Sequence, residues 1–564
     1  MPLAPHRRWI LPQAASSDTP DGIPDLIARI LGARGIPASA MAAFLSGGPM
    51  RGGPPMLDLA LAVTRLRRAL AARERIVVYG DYDVDGIAGT AILVRAFRAL
   101  GIAVAAYIPN RYEEGYGLNA EALENLAADG ATVVISVDCG VTAVGEAAIA
   151  RRLGVDLIIT DHHHPPNKLP EAFAVVNPRR PGDPSQEKDL SGSGVALVLA
   201  RELLGDVAFA VHEDALVQLA ALATVADVVP LVGANRAITR AGLEALNRAP
   251  LTGVRALVDR AGLKLGRVTA SDIAFGLGPR LNAAGRITDA EEALRLLLTE
   301  DAEEAKGLAD RLEQRNVERQ VLTRGVVAGA RAQALLRPEA WATVVADAGW
   351  PAGIVGLAAS RLVEDHGRPA AVIALDGDQG KGSCRSIAGV HIAEALDACD
   401  DLLLRHGGHA MAAGFSVVAS RIPEVTARLD AFVALRLGGV RPVPTLVVDA
   451  EIGADTLTAR LALELAALEP CGAGNPRPRL LLRDVRVHGI RQVGADLDHL
   501  RCKLTVGRFT FDAMAFRRGD RAEAMEGEGR VDAVVTVGNG FRGMVELELQ
   551  DFGAVGSAAA MVPA

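Results

Sequence analysis

The chain has 564 residues, half of them hydrophobic and 23% charged, a composition that excludes a mainly disordered protein. Its length suggests about three to five compact units. The formal charge of −8 excludes a generic basic coat for nucleic acid but leaves room for a local basic track, and a site crowded with carboxylates would itself lower the total. No run of 18 uncharged apolar residues occurs, and no apolar segment follows the first arginines, so neither a membrane span nor a secretory leader is expected. Five cysteines (139, 384, 399, 471 and 502) without CxxC spacing argue against a disulfide framework or a zinc–thiolate site and fit a reducing cytoplasm.

Residues 1–50 hold scattered Gly and Pro with one weak helical stretch and read as an N-terminal extension. After GGPMRGGPP comes an amphipathic helix pattern around Leu57–Leu70. Ile76–Gly80 (IVVYG), Thr132–Asp138 and Asp156–Asp161 are short β-branched runs that read as buried strands. GIAGTAILVRAFRAL follows the first as a helix, and Ala143–Leu153 is helical between the other two, giving βαβ units and a parallel sheet. Residues 191–330 read as mostly helical, and Asp289–Ala334 as one long helix between two lobes. A second α/β lobe follows, with strands at Thr343–Ala346 and Ala370–Leu375 and helices at Ile354–Asp365, Ala393–Leu404 and Pro423–Leu435. Past the linker RLGGVRPVP come a helix over 457–468 and four strand patterns, the content of a small OB-like β-barrel. Most of its phenylalanines (Phe509, Phe511, Phe516 and Phe541) are expected in its core. The division expected is thus 1–50 extension, 51–300 first α/β domain, 301–340 connecting helix, 341–437 second α/β domain and 438–564 OB-like domain.

The chemistry gathers at strand ends. IVVYG runs into Asp81, Asp83 and Asp85, VVISV into Asp138, and LIIT into Asp161 followed by His162, His163 and His164. A further carboxylate, Asp227, lies in the apolar run LATVADVVPL. Ligands of parallel sheets bind beyond the carboxyl ends of the strands, so these groups should converge in one crevice. A single strand-end aspartate is more often a cap or turn residue. Three such sites and a histidine run after a buried strand point instead to a metal centre. Like charges raise one another's pKa, and divalent cations relieve this. Oxygen ligands with an imidazole and no thiolate suit manganese or magnesium. A shared carboxylate could hold two ions about 3.5–4 Å apart, as in phosphatases and nucleases. The reaction class is phosphoester or phosphoanhydride hydrolysis.

Together GDYDVDG, VDCG, DHHH and ATVADVVPL resemble the DHH phosphoesterase superfamily, and GGHAMAAGF (Gly407–Phe415) resembles its associated second domain, DHHA1. The motifs GPRLNAAGRI (Gly278–Ile287), SCRS (Ser383–Ser386) and EPCGAGNP (Glu469–Pro476), with the β-rich C-terminal region, are similar to its single-strand-specific exonuclease branch. The resemblance implies that Asp83, Asp85, Asp138, His162 and Asp227 hold two Mn2+ or Mg2+ ions, with Asp138 as the bridge. It implies that Asp81 and Asp161 either bind the ions or stand beside the residues that do, Asp161 orienting an imidazole, and that His163 faces the scissile phosphate. His164 lies outside the usual pair, and Cys384 stands where the family usually has glycine.

For the strand itself, the resemblance implies that Arg111, Arg280, Ser383 and Arg385 bind the 5′-terminal phosphate, and that His406 and His409 bind phosphate from the second lobe. Asn282 is counted with the substrate-binding residues of its motif. Arg280, Arg286 and Arg385 stand in glycine-containing contexts expected to be non-helical, where a guanidinium fork can donate to phosphate. Tyr112 and Tyr116, in the polar loop NRYEEGYG, could stack bases. The implied activity is 5′→3′ hydrolysis of single-stranded DNA to mononucleotides in recombination and repair. The implied partners are the 5′ end of single-stranded DNA, a single-strand-binding protein and a helicase, for a cytoplasmic monomer away from membranes. A phosphodiesterase for short oligoribonucleotides or cyclic dinucleotides, a pyrophosphatase, and an inactive single-strand binding scaffold are the alternatives. The C-terminal region argues against the first two, and the intact ligand set against the third.

Overall fold

The computed structural model describes residues 7–11, 19–50, 53–110, 114–115, 117–287, 289–494, 497–539 and 545–556. Their contacts divide into two compact units, one comprising residues up to 285, 290–310 and 445 onward, the other 286–289 and 311–444. Arg111, Tyr112, Tyr116 and Phe541 lie outside the described residues.

In the first unit the short apolar runs pair as a five-stranded parallel sheet. Its spatial order is Ala105–Tyr107, Ile76–Gly80, Val133–Val137, Asp156–Thr160 and Ala174–Val176. The first strand in sequence therefore lies between the second and the third, and the order reverses between Ile76–Gly80 and Val133–Val137. At such a reversal the connections leave on opposite faces and open a crevice at the carboxyl ends. The strands Ile76–Gly80 and Val133–Val137 are buried throughout, as a sheet covered on both faces requires. The edge strands Ala105–Tyr107 and Ala174–Val176 have three residues each, too short to show periodicity in the sequence.

Helices Val84–Ala99 and Gly192–Leu204 pack together on this sheet, and Asp206–Ala226 packs on both. By length and apolar composition Asp206–Ala226 could cross a bilayer, but its half from Leu216 to Val225 is buried in the core. GPRLNAAGRI is helical rather than a loop: a π-helical turn, Ile273–Leu277, runs directly into the α-helix Gly278–Ile287. Arg280, Asn282 and Arg286 thus sit on a helix, because the glycines of this motif serve close packing rather than turns. A Cβ on Gly285 would stand 2.5 Å from the Tyr82 carbonyl oxygen. The expected continuous helix from Asp289 is also broken. Glu291–Leu298 ends at extended Thr299, and Ala302–Ala334 starts anew where Asp301 Oδ1 accepts from the N–H groups of Glu303 (2.8 Å) and Glu304 (3.0 Å).

The C-terminal strands close into a five-stranded barrel in the order Leu480–Val493, His499–Val506, Phe509–Ala515, Val545–Ala554 and Arg530–Asn539, the last pairing back to the first. Its core aromatic is Phe552; Phe511 is partly buried, while Phe509 and Phe516 are exposed, against expectation. Phe509 opens its strand at the hairpin after Gly507, at the rim and beyond the apolar interior. The described N-terminal residues pack onto this barrel. Leu26, Ile27, Ile30 and Leu31 join its core, Arg8–Ile10 pairs with Thr445–Val447, and buried Trp9 donates from Nε1 to Asp551 at 2.9 Å.

Arg236 ties this assembly to the helices below the sheet. Fully buried, it donates from Nε to the carbonyl of Phe44, from Nη1 to those of Leu468 and Pro470, and from Nη2 to that of Glu469, with its guanidinium 4.2 Å from the Phe44 ring.

The second unit is a five-stranded mixed sheet ordered Leu403–Gly408, Ala412–Val418, Gln379–Arg385, Ala370–Asp376 and Thr343–Asp347, in which only the last two are parallel. The expected helix Ala393–Leu404 is shortened to Ile392–Asp397, because the apolar run at Leu403 begins an edge strand that hairpins into Ala412–Val418. Cys384 faces the core on Gln379–Arg385, so alternation puts Ser383 and Arg385 together on the other face. All five cysteines are free thiols.

Removing the Arg236 guanidinium leaves the Glu469 carbonyl without a donor, at ~1–3 kcal/mol, and takes one of two donors from the carbonyls of Phe44, Leu468 and Pro470, which keep Gly47 N–H or Asn475 Nδ2. Arg236→Leu is therefore expected to lower stability by about 3 kcal/mol, read as a depressed unfolding midpoint in urea; an unchanged midpoint would refute this.

Candidate metal centre

Three aspartates line the crest of the sheet because each takes its backbone hydrogen bond from the end of the next strand. The N–H of Asp81 donates to Val137 O (3.2 Å), that of Asp138 to Thr160 O (2.9 Å) and that of Asp161 to Val176 O (3.1 Å). Asp138 adopts a left-handed backbone (φ 63°), a conformation that Asp tolerates better than most residues. A Cβ on Gly192 would stand 2.6 Å from Asp138 Oδ1, so only glycine fits beside that carboxylate.

Around these groups the backbone supplies donors. Asp83 caps helix Val84–Ala99, its Oδ1 accepting from the N–H of Asp85 (2.8 Å) and Gly86 (3.3 Å). Asp85 is held at the N-terminus of Gly192–Leu204, accepting from Gly192 N–H at 2.6 Å and Ser193 N–H at 2.8 Å, where the helix dipole also favours a negative charge. Asp227 follows directly on helix Asp206–Ala226. His162 reaches into the middle: its Nε2 lies 3.2 Å from Asp138 Oδ1, 3.6 Å from Asp227 Oδ2 and 3.8 Å from Asp85 Oδ2. Neither ring nitrogen of His162 nor Asp138 Oδ1 makes a hydrogen bond, although all three are buried. Buried polar atoms are normally paired, so these atoms face a ligand's position.

Among the described residues, three groups have ligand atoms close enough together to hold a cation: Asp81, Asp83 and Asp138; Asp85, His162 and Asp227; and Asp138, His162 and His163. Asp138 belongs to two of them. Asp81, expected either as a ligand or beside one, stands in the first group. Asp161 belongs to none of these groups. Its Oδ1 accepts from the N–H of His162 (2.7 Å) and His163 (3.0 Å) and pairs with His163 Nδ1 (2.8 Å), while its Oδ2 accepts from Val141 N–H (2.9 Å). Asp161 therefore orients the His163 ring and the loop that carries both histidines.

Electrostatics agree with this division. Burial, reinforced by Asp85, Asp83, Asp227 and Asp81, pushes the Asp138 carboxyl well above the usual range. Burial with Asp85 and Asp83 does the same to Asp227, and burial with Asp85 raises Asp83. Burial lowers His162, keeping its imidazole neutral and able to ligate. Burial also opposes ionisation of Asp161, yet the hydrogen bond and charge of His163 hold that carboxyl below its ordinary value. Burial works against a charged His163 too, but the Asp161 bond and the charges of Asp161, Asp227 and Asp83 raise it to about 9.

The remaining expected residues divide between the units. In the first, Asn282 Oδ1 accepts from Val84 N–H at 3.1 Å, so its carbonyl steadies the carboxylate loop, and Arg280 Nη1 donates to Gly276 O at 2.7 Å. His164 is exposed. In the second, Arg385 Nη1 donates to Ser383 Oγ (3.1 Å) and Cys384 O (2.8 Å), Arg286 Nη1 reaches Gly353 O at 3.4 Å, and His406 Nε2 pairs with Asp400 at 3.1 Å. His409 closes the hairpin through its N–H to Ala412 O (2.8 Å). Sequence reasoning missed Gly192 and Ser193, although Ser191-Gly192-Ser193 before an apolar run is a helix-start signal.

Comparison with known proteins fits this geometry. Residues 75–225 match the DHH family, N-terminal domain, residues 339–435 the DHHA1 domain, and residues 448–551 the RecJ OB domain. The single-stranded-DNA-specific exonuclease RecJ of Dickeya dadantii is 36% identical over 497 residues, covering 82% of this chain and 84% of that protein. The chain belongs to the RecJ family. RecJ of Bacillus subtilis is 38% identical over 479 residues, 84% of this chain, which spans only 60% of that longer relative's length. The crystal structure of RecJ from Thermus thermophilus in complex with Mn2+ superposes with a TM-score of 0.81 at 33% identity, covering 97% of this chain and 79% of that one. The structure of the same protein with Mg2+ gives 0.75 at 31% identity, covering 97% and 78%.

The His163 assignment is checked by histidine NMR of the metal-free protein. His163 should titrate near 9, and Asp161→Asn should bring its midpoint back toward about 6.5; a wild-type midpoint already near that value would refute the Asp161 pairing.

Proposed function

We propose that the protein is a divalent-metal-dependent exonuclease that removes mononucleotides from the 5′ end of single-stranded DNA, working in a reducing cytoplasm in DNA recombination and repair. The observation that carries this reading is the set of buried atoms without a hydrogen bond on Asp138 and His162 at the meeting point of five carboxylates. The hard-oxygen donor set with one neutral imidazole fits manganese or magnesium, the ions in the Thermus structures. Asp83, Asp85, Asp138, His162 and Asp227, with Asp81, would hold the ions, Asp138 shared between two. Bound there, they supply Lewis acidity toward a phosphate and lower the pKa of a water for in-line displacement.

The chain's own residues set the terms of that displacement. Asp161 keeps the His163 imidazole protonated and oriented, so His163 offers positive charge and a proton to the phosphate under attack. The Gly192 and Ser193 N–H groups hold the Asp85 carboxylate in place, which spares a reorganisation during the reaction. Ser383, Arg385, His406 and His409 of the second unit, with Arg280, Arg286 and Arg111, are the inferred phosphate contacts, and Tyr112 and Tyr116 the inferred base contacts of the loop. The match of residues 448–551 to the RecJ OB domain supports a polymeric substrate over a short oligoribonucleotide or cyclic dinucleotide. A monomer served by a single-strand-binding protein and a helicase belongs to the same reading.

The test is product analysis on end-labelled single-stranded DNA and RNA with Mn2+. Mononucleotides released from the 5′ end of DNA are expected, and Asp138→Ala should abolish them; internal cuts or undiminished turnover by Asp138→Ala would overturn the reading. The carboxylate shifts add a second check. Asp83, Asp138 and Asp227 have raised values in the folded state, so the folded chain binds more protons than the unfolded one and loses stability as pH climbs above about 4. His163, also raised, acts in the same direction from about 6.5 to about 9. Mn2+ should therefore raise the melting temperature more at pH 8 than at pH 5.5, worth about 3 kcal/mol at a hundredfold excess over Kd. An equal shift at both pH values would count against ligation by these carboxylates.

A further inference from the structure

Beyond the charged groups, two apolar side chains stand open to solvent on segments that carry or steady the metal centre. Phe275 is 83% exposed, more than any other large aromatic among the described residues, and it lies in the π-helical turn Ile273–Leu277. π-turns are rare and often mark functional positions. This one continues into Gly278–Ile287, the helix whose Asn282 accepts from Val84 and whose Gly285 lies against Tyr82 in the carboxylate loop. Phe275 is thus carried on the rod that steadies the metal site, about two turns before the docking point at Asn282.

The second side chain is Val228, next to Asp227. It is 69% exposed and holds φ 63°, a left-handed backbone that is a steric outlier for a β-branched residue. Strain of this kind persists where the surroundings enforce it, most often at functional sites. The two segments meet: a Cβ on Gly278 would be 3.2 Å from the Ala226 Cβ, so Phe275 and Val228 leave the backbone three and two residues from one contact. Past Val228 the chain is also anchored, with Leu231 N–H donating to Ala473 O at 2.7 Å.

A ligand suited to this place carries negative charge for the ions and a flat apolar face for the ring. A nucleotide of a single strand has both. We propose that Phe275 stacks on an unpaired base of the bound strand, with Val228 packing beside it, so that the first unit holds a phosphate and a nearby base together. The inference rests on the single-strand exonuclease reading. It also supplies a reason for single-strand preference, since a base in a duplex is stacked and paired and offers no free face.

The experiment is a cycle between side chain and base. kcat/KM is measured with Mn2+ for wild type, Phe275→Ala and Phe275→Trp on a 5′-phosphorylated oligonucleotide and on a set in which one base at a time near the 5′ end is removed to leave an abasic site. Phe275→Ala should lose roughly five- to 150-fold on the intact strand, mainly through KM, as expected for one base–aromatic stack. At one abasic position wild type should fall by a similar factor and Phe275→Ala should fall no further. Phe275→Trp should restore the wild-type pattern. No loss in Phe275→Ala, or the same loss at every abasic position, overturns the stacking role. Failure of wild type to cut any single strand would instead sink the exonuclease reading, so the two failures are distinguishable.

Discussion

The molecule is organised around the mutual repulsion of carboxylates buried at the end of one parallel sheet. Asp81, Asp138 and Asp161 are neighbours through successive backbone hydrogen bonds, and Asp83, Asp85 and Asp227 are brought against them from helix ends. Each such group out of water costs free energy unless it is paired. The fold answers in two ways. Asp85 and Asp161 are satisfied by backbone N–H groups and an imidazole, whereas Asp138 and His162 keep atoms unpaired for an ion. Asp161 thus shapes the centre from outside the ligand clusters, while Asp85 is both held by the backbone and placed in one of them.

The supports arrive from distant parts of the chain. Gly192 reaches within contact of Asp138 because it lacks a side chain, Asn282 holds the loop of Asp83 and Asp85, and Gly285 lets a helix lie on Tyr82. The barrel takes part as well. Its EPCGAGNP loop meets Pro230 and Leu231, just after Asp227, and Arg236 grips the carbonyls where that loop begins. A change at that joint would reach the centre through the segment that holds Asp227.

Where sequence reading failed, the cause is consistent. GPRLNAAGRI was expected to be a loop because glycine and proline usually break helices, but its glycines are there for close approach. The helix from Asp289 was expected to be continuous because Glu, Leu, Arg and Ala dominate it, yet a Thr–Asp cap restarts it at Ala302. The run at Leu403 suits helix and strand alike, and pairing with Ala412–Val418 decided for strand. Phe275 and Val228 carry no mark in the sequence, since an exposed apolar residue cannot be told from a buried one by composition.

The sequence alone determined the parallel sheet, the set of acidic and imidazole groups at its strand ends, the second α/β lobe and the terminal barrel. Those follow from local periodicity and from residue types whose chemistry has few other uses. Tertiary structure alone decided that residues 19–45 pack onto the barrel core, that the imidazole held by Asp161 is that of His163, and that Gly192 and Ser193 hold Asp85. The reason is physical. Each depends on contacts between groups far apart in the chain, and such contacts are set by packing and strand order, which leave no repeating mark in a linear string.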